Sequence, residues 1–110
     1  MVNKFLKNRL KMAYCIIKKT KNGIISEIPI STYDLFHEYW LPLFEKYEMR
    51  NLSNWRFSHD LEKDELKNII NEFNVILPHI TGEWEKERAN FILKELRLIK
   101  FEDYEYINIG

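Results

Sequence analysis

This sequence predicts a small α+β domain: a three-stranded antiparallel sheet, formed by an N-terminal hairpin and a C-terminal strand, packed on three helices. Three observations lead to it. Lys21-Asn22-Gly23 separates two runs rich in Ile and Tyr, and an Asn-Gly pair between β-type runs is a strong hairpin signal. The stretch from Ser31 to Glu48 places Leu35, Phe36, Tyr39, Trp40, Leu43, Phe44 and Tyr47 on one side of a helix. The tail YEYINI, from Tyr104 to Ile109, alternates in the manner of a half-buried strand.

The helical stripe organises the rest. Burying a large apolar side chain contributes about 1.5–3 kcal/mol, so seven of them supply on the order of 10–20 kcal/mol gross. A chain of 110 residues holds one such core, and residues 1–110 read as a single domain. Its 45% apolar and 31% charged composition suits a globular protein, and six Gly and Pro in total argue against disorder.

In chain order, Asn3 to Met12 reads as a short basic helix with Phe5, Leu6 and Leu10 on one face, and Met12 is a second candidate start. Strands are expected at about 13–19 and 24–29, joined by a type I′ turn, with Pro29 ending the second. Ser31 or Thr32 caps the central helix, Ser31 forming a capping box with Asp34. Pro42 inside that helix removes a backbone bond and clashes with the preceding turn, which predicts a kink. Residues 50–54 read as a loop. WRFS, from Trp55 to Ser58, reads as a short strand or an extended connector. Ser58 or Asp60 caps a second helix near 61–74, whose stripe is Leu66, Ile69, Ile70 and Phe73. VILPHI reads as a tight, buried link. The last helix spans about 83–99 on Ala89, Ile92, Leu93, Leu96 and Ile99, with acids at its start and bases at its end as the helix dipole prefers.

Catalytic patterns are missing. His37-Glu38 lacks the second histidine of a zinc-protease helix. His59 precedes an expected N-cap and His79 follows Pro78 in a turn; two histidines and an acid would form a ribonuclease-like set only if the fold gathered them. Three ungrouped glycines exclude a phosphate loop, and no calcium-loop spacing occurs. Cys15, the single cysteine, excludes an internal disulfide and a thiolate zinc site, and reads as a small buried hydrophobe. The expectation is therefore no enzyme, no cofactor and no metal.

Charge is balanced overall, 17 basic against 17 acidic, but not along the chain. Residues 1–25 hold seven Lys or Arg and no acid, so the remainder carries all seventeen acids against ten bases. That leaves an acidic body suited to a protein partner with a basic surface. The expected partner surface is Glu83 and Glu87, one turn apart on the last helix, with Glu102, Asp103, Tyr104 and Glu105. No run of apolar residues is long enough to span a membrane or to form a signal peptide's core, which leads to an expected place in the cytoplasm.

In length, Lys/Asn/Ile/Glu-rich composition and α+β pattern with acidic faces, the whole chain resembles the small bacterial immunity proteins of contact-dependent inhibition and other polymorphic toxin systems. The resemblance carries no motif. It implies tight one-to-one capture of a toxin domain, with acids steering association and aromatics anchoring it. The neutral net charge departs from the strongly acidic inhibitors of basic nucleases. Two alternatives remain: a nucleic-acid-associated regulator using the basic N-terminal segment, and a homodimeric structural protein.

Overall fold

The computed structural model describes residues 13–110; the expected N-terminal helix over 3–12 lies outside them. Among the described residues the fold is α+β, with four antiparallel strands rather than three. They are β1 (Tyr14–Thr20), β2 (Ile25–Ser31), β3 (His59–Asp60) and β4 (Tyr104–Ile109), in the order β2-β1-β4-β3. The C-terminal strand thus lies inside the sheet, Ile16 facing Ile28 on one side and Ile109 on the other.

The hairpin forms with a different turn. Within the turn only Gly23 has a positive φ, of 92°, and Asn22 does not. The Gly23 N–H donates to Thr20 O at 3.0 Å and the Thr20 N–H to Ile24 O at 2.9 Å. This is a three-residue loop closed by a left-handed glycine, not the two-residue type I′ turn. Pro29 does not end β2: it stands opposite Cys15 on the edge of the sheet, where no neighbouring strand needs its N–H.

Three helical segments run on as one rod, α1: Tyr33–Leu35, a π-helical Phe36–Trp40, and Leu41–Lys46. Thr32 caps it alone, its Oγ1 accepting from the Leu35 N–H at 3.1 Å. With Thr32 as cap, Asp34 falls one position short of a capping box. Pro42 acts through the π turn: the wider ring just before it relieves the clash a proline makes with the preceding carbonyl, and α-helix resumes with Pro42 in its first turn. The stripe keeps its phase, with Phe36, Trp40 and Phe44 buried and Leu35, Tyr39, Leu43 and Tyr47 packed at its margins.

Residues expected to be a loop form the short helix α2 (Arg50–Ser53), followed by a 3₁₀ turn at Asn54–Arg56. Trp55 and Phe57 do not alternate across a strand: Trp55 is buried against Phe73, ring centroids 5.7 Å apart, while Phe57 is exposed. The strand falls two residues later. Asp60 is no helix cap but part of β3, accepting from Asn108 Nδ2 at 3.0 Å. Helix α3 (Lys63–Ile76) then starts at Glu62 with no side-chain cap. Of the expected buried link, Ile76 and Ile80 are buried while Pro78 and His79 are exposed. Helix α4 (Glu83–Arg97) ends two residues earlier than expected.

One core unites the elements. Ile16, Ile28, Ile30, Ile107 and Ile109 line the inner face of the sheet, and the helices cover them with Phe36, Phe44, Ile69, Phe73, Ile92 and Leu96. An edge contact between Phe44 and Phe73, ring centroids 6.4 Å apart, joins α1 to α3, and Phe36 meets Phe44 within α1 at 6.3 Å. Cys15 belongs to the outer face and is half-buried, not fully buried as expected. Burial, then the Glu27 carboxylate, pushes its thiol pKa up.

Candidate binding cleft

A concavity lies where α2, β3 and the start of α3 meet. It begins with a brace. Helix α2 has no side-chain cap of its own. Glu72 on α3 supplies one, accepting from the Asn51 and Leu52 backbone N–H groups at 3.2 and 2.9 Å and from Asn51 Nδ2 at 2.7 Å. A carboxylate at the positive end of a helix is favourable, and this one fixes α2 against α3.

The chain then turns through Trp55, whose burial throws Phe57 outward, and enters β3. His59 closes the far wall. Its Nδ1 lies 2.7 Å from Phe57 O and its Nε2 2.6 Å from Glu65 Oε2. Neither partner is a donor when Glu65 is ionised, so both contacts form together only when both ring nitrogens carry protons. Burial opposes that charge, but the Glu65 hydrogen bond, the Phe57 carbonyl and the Glu65 and Asp60 charges outweigh it and raise the His59 pKa above 6.5. In its protonated form His59 clasps both acceptors, with no ring nitrogen left as a base while both contacts hold.

Asn51, Asn54, Phe57, His59, Glu62, Glu65 and Asn68 line a cleft of about 420 Å³. Glu62, Glu65 and Asn68 are spaced by three, which sets them along one side of α3. The lining has no hydroxyl or thiol nucleophile. It offers carboxylates, amide dipoles and an aromatic face already used by a cation, since the Arg56 guanidinium lies 4.8 Å from the Phe57 ring centre. Such a set accepts a positively charged group.

The residues expected to form a partner surface lie elsewhere and in two places. Glu83 and Glu87 are exposed on the first turns of α4. Glu102 and Asp103 occupy a 3₁₀ turn beyond the other end of that helix, whose 15 residues span about 22 Å. The second group is partly offset by the lysines of β1: Glu105 pairs with Lys19 at 3.5 Å, and Lys18 lies 5.6 Å from the half-buried Tyr104 ring. The fold therefore keeps Glu102–Glu105 together and separates them from Glu83 and Glu87.

The histidines are not gathered. His37 is half-buried and 2.7 Å from the Tyr14 hydroxyl; His79 stacks on Tyr47 at 4.1 Å. Among the described residues no group of three or more His, Cys, Asp or Glu is placed to hold a metal ion, and no helix is long and apolar enough to cross a membrane. The chain matches no protein-family model, no curated protein and no solved structure.

Proposed function

We propose that this protein is a non-enzymatic binding module of the bacterial cytoplasm, an immunity protein that captures and neutralises a cognate toxin domain with a basic surface. The observation that carries the reading is the cleft between α2 and α3. An exposed aromatic, three asparagines and two glutamates surround a histidine whose nitrogens are already engaged, a lining suited to receiving a lysine or arginine rather than to turning over a substrate. Phe57 is the anchor, and Glu62 on the rim steers a basic partner.

The test is co-expression with any toxin domain found encoded beside its gene. The chain should protect growth and bind that domain directly. Phe57→Ala and Glu62→Lys should each weaken binding roughly tenfold to a hundredfold, as loss of an interface anchor does. Full affinity in both folded variants would move the interface away from the cleft. Absence of any toxin that the chain neutralises would overturn the immunity reading itself.

A further inference from the structure

We infer that Asn22 is a self-modification site: in the β1–β2 turn its side-chain amide is lost through attack by the Gly23 backbone nitrogen, leaving an aspartate or isoaspartate at position 22. The chain has ten asparagines, and Asn22 alone is followed by glycine. Every other one precedes a residue whose side chain crowds the attacking nitrogen, Leu52, Trp55, Phe91 and Ile109 among them. Glycine lifts that obstacle. Lys21, Asn22 and Gly23 are all exposed, and a Cβ built on Gly23 would meet no described atom within 4 Å. The selectivity therefore comes from sequence and turn together.

Thr20 prepares the reacting carbonyl. Its hydroxyl accepts from the Ile24 N–H at 2.9 Å. Its own proton goes to Asn22 Oδ1, the nearer of two acceptors, the other being the Ile24 carbonyl at 3.4 Å. The Asn22 side chain is thus held by the oxygen on which negative charge develops when its amide carbon is attacked. A donor fixed at that oxygen stabilises the charge, as in an oxyanion hole. The Gly23 N–H, which must give up its proton, donates to Thr20 O at 3.0 Å. That bond lies at an exposed turn tip, where local opening costs little.

The steps balance with water as the one co-reactant. Hydroxide takes the Gly23 amide proton, and the nitrogen bonds to Asn22 Cγ. The Cγ–Nδ2 bond then breaks, and ammonia leaves with a proton from water. The resulting succinimide ring takes up one water. Opening at Cγ gives aspartate with the main chain unchanged. Opening at the backbone carbonyl carbon gives isoaspartate, with the main chain rerouted through Cβ and Cγ. Either product brings the first acid into residues 1–25, which hold seven bases. Isoaspartate also adds a main-chain atom to the loop closed by left-handed Gly23. The turn shares no residue with the α2–α3 cleft, so the inference stands apart from the proposed function.

Isoelectric focusing, peptide mapping by mass and labelling by an isoaspartyl methyltransferase read the reaction over days at mildly alkaline pH. The parent chain should gain one negative charge, map it to position 22 and accept methyl groups there. Asn22→Gln, whose longer side chain closes a less favourable ring, should do none of these. Thr20→Val should slow the native reaction several-fold and Thr20→Ser should restore it, with circular dichroism unchanged. In urea, where the turn is gone, parent, Thr20→Val and Thr20→Ser should convert at one rate. A native parent that keeps its Asn22 amide while the unfolded chain loses it would overturn the inference, as would equal charge gain by Asn22→Gln. Native conversion of Thr20→Val as fast as the parent's would overturn the part given to the Thr20 hydroxyl.

Discussion

His59 concentrates most of the titration behaviour worth measuring. Its folded pKa is raised, so the stabilisation it contributes is fully present below the ordinary value of 6.5 and is lost as pH rises through the folded value. Denaturation midpoints of the parent chain should therefore fall relative to His59→Gln as the solution is taken from acid through neutral to mildly alkaline. A constant difference would show that the clasp is not held by the imidazolium. Trp40 is a packing residue of another kind: it is buried, and its indole N–H has no hydrogen-bond partner among the described residues. Trp40→Ala should cost about 3–5 kcal/mol in chemical denaturation through lost contacts and the cavity left behind. Its burial was legible because Phe36, Trp40 and Phe44 recur at helical spacing. The pairing of His59 with Glu65 was not, because six residues, part strand and part helix, separate them and no periodicity links the two.

Helix ends carry the clearest strain. The Glu48 backbone is left-handed, with φ of 58°, and the end of α1 is closed by Met49 N–H to Phe44 O at 2.8 Å and Glu48 N–H to Glu45 O at 3.1 Å. That closure ordinarily uses glycine, because a side chain there costs about 1–2 kcal/mol. Glu48→Gly should accordingly stabilise the fold by about 1 kcal/mol, raising Tm by several degrees. An unchanged or lower Tm would place the strain elsewhere. The Glu72 brace points the other way: Glu72→Ala should cost about 1–3 kcal/mol, and Glu72→Gln less, since an amide keeps one acceptor. Near-equal denaturation midpoints for all three chains would show that α2 does not depend on it. The long helices were legible from their stripes. Helix α2 was not, because Arg50–Ser53 is too short for a period and owes its cap to a residue on α3. Pro42 signalled a disturbance in α1, but whether as a kink or as a π turn depends on what the neighbouring side chains pack against.

At the scale of the molecule, the α+β class and three of the strands follow from local signals in the turn and the tail. The fourth, β3, has only two residues and exists because β4 offers it an edge, a partner that no local pattern announces. The candidate cleft shares that origin, since its walls come from segments whose approach is a tertiary event; the acids that stood out in sequence, Glu102 and Asp103, are conspicuous by adjacency alone. The central place of β4 has a consequence for how the chain is made on the ribosome. The hairpin of β1 and β2 emerges before β4, with Ile16 and Ile28 ready to be covered, and β1's second neighbour follows only after the whole stretch from Thr32 to Asp103 has been translated. Pairings so distant in sequence form slowly. Throughout that delay the nascent chain presents an unfinished sheet on the β1 flank, making the interval between synthesis of the hairpin and synthesis of β4 the period when it most needs a chaperone's shelter.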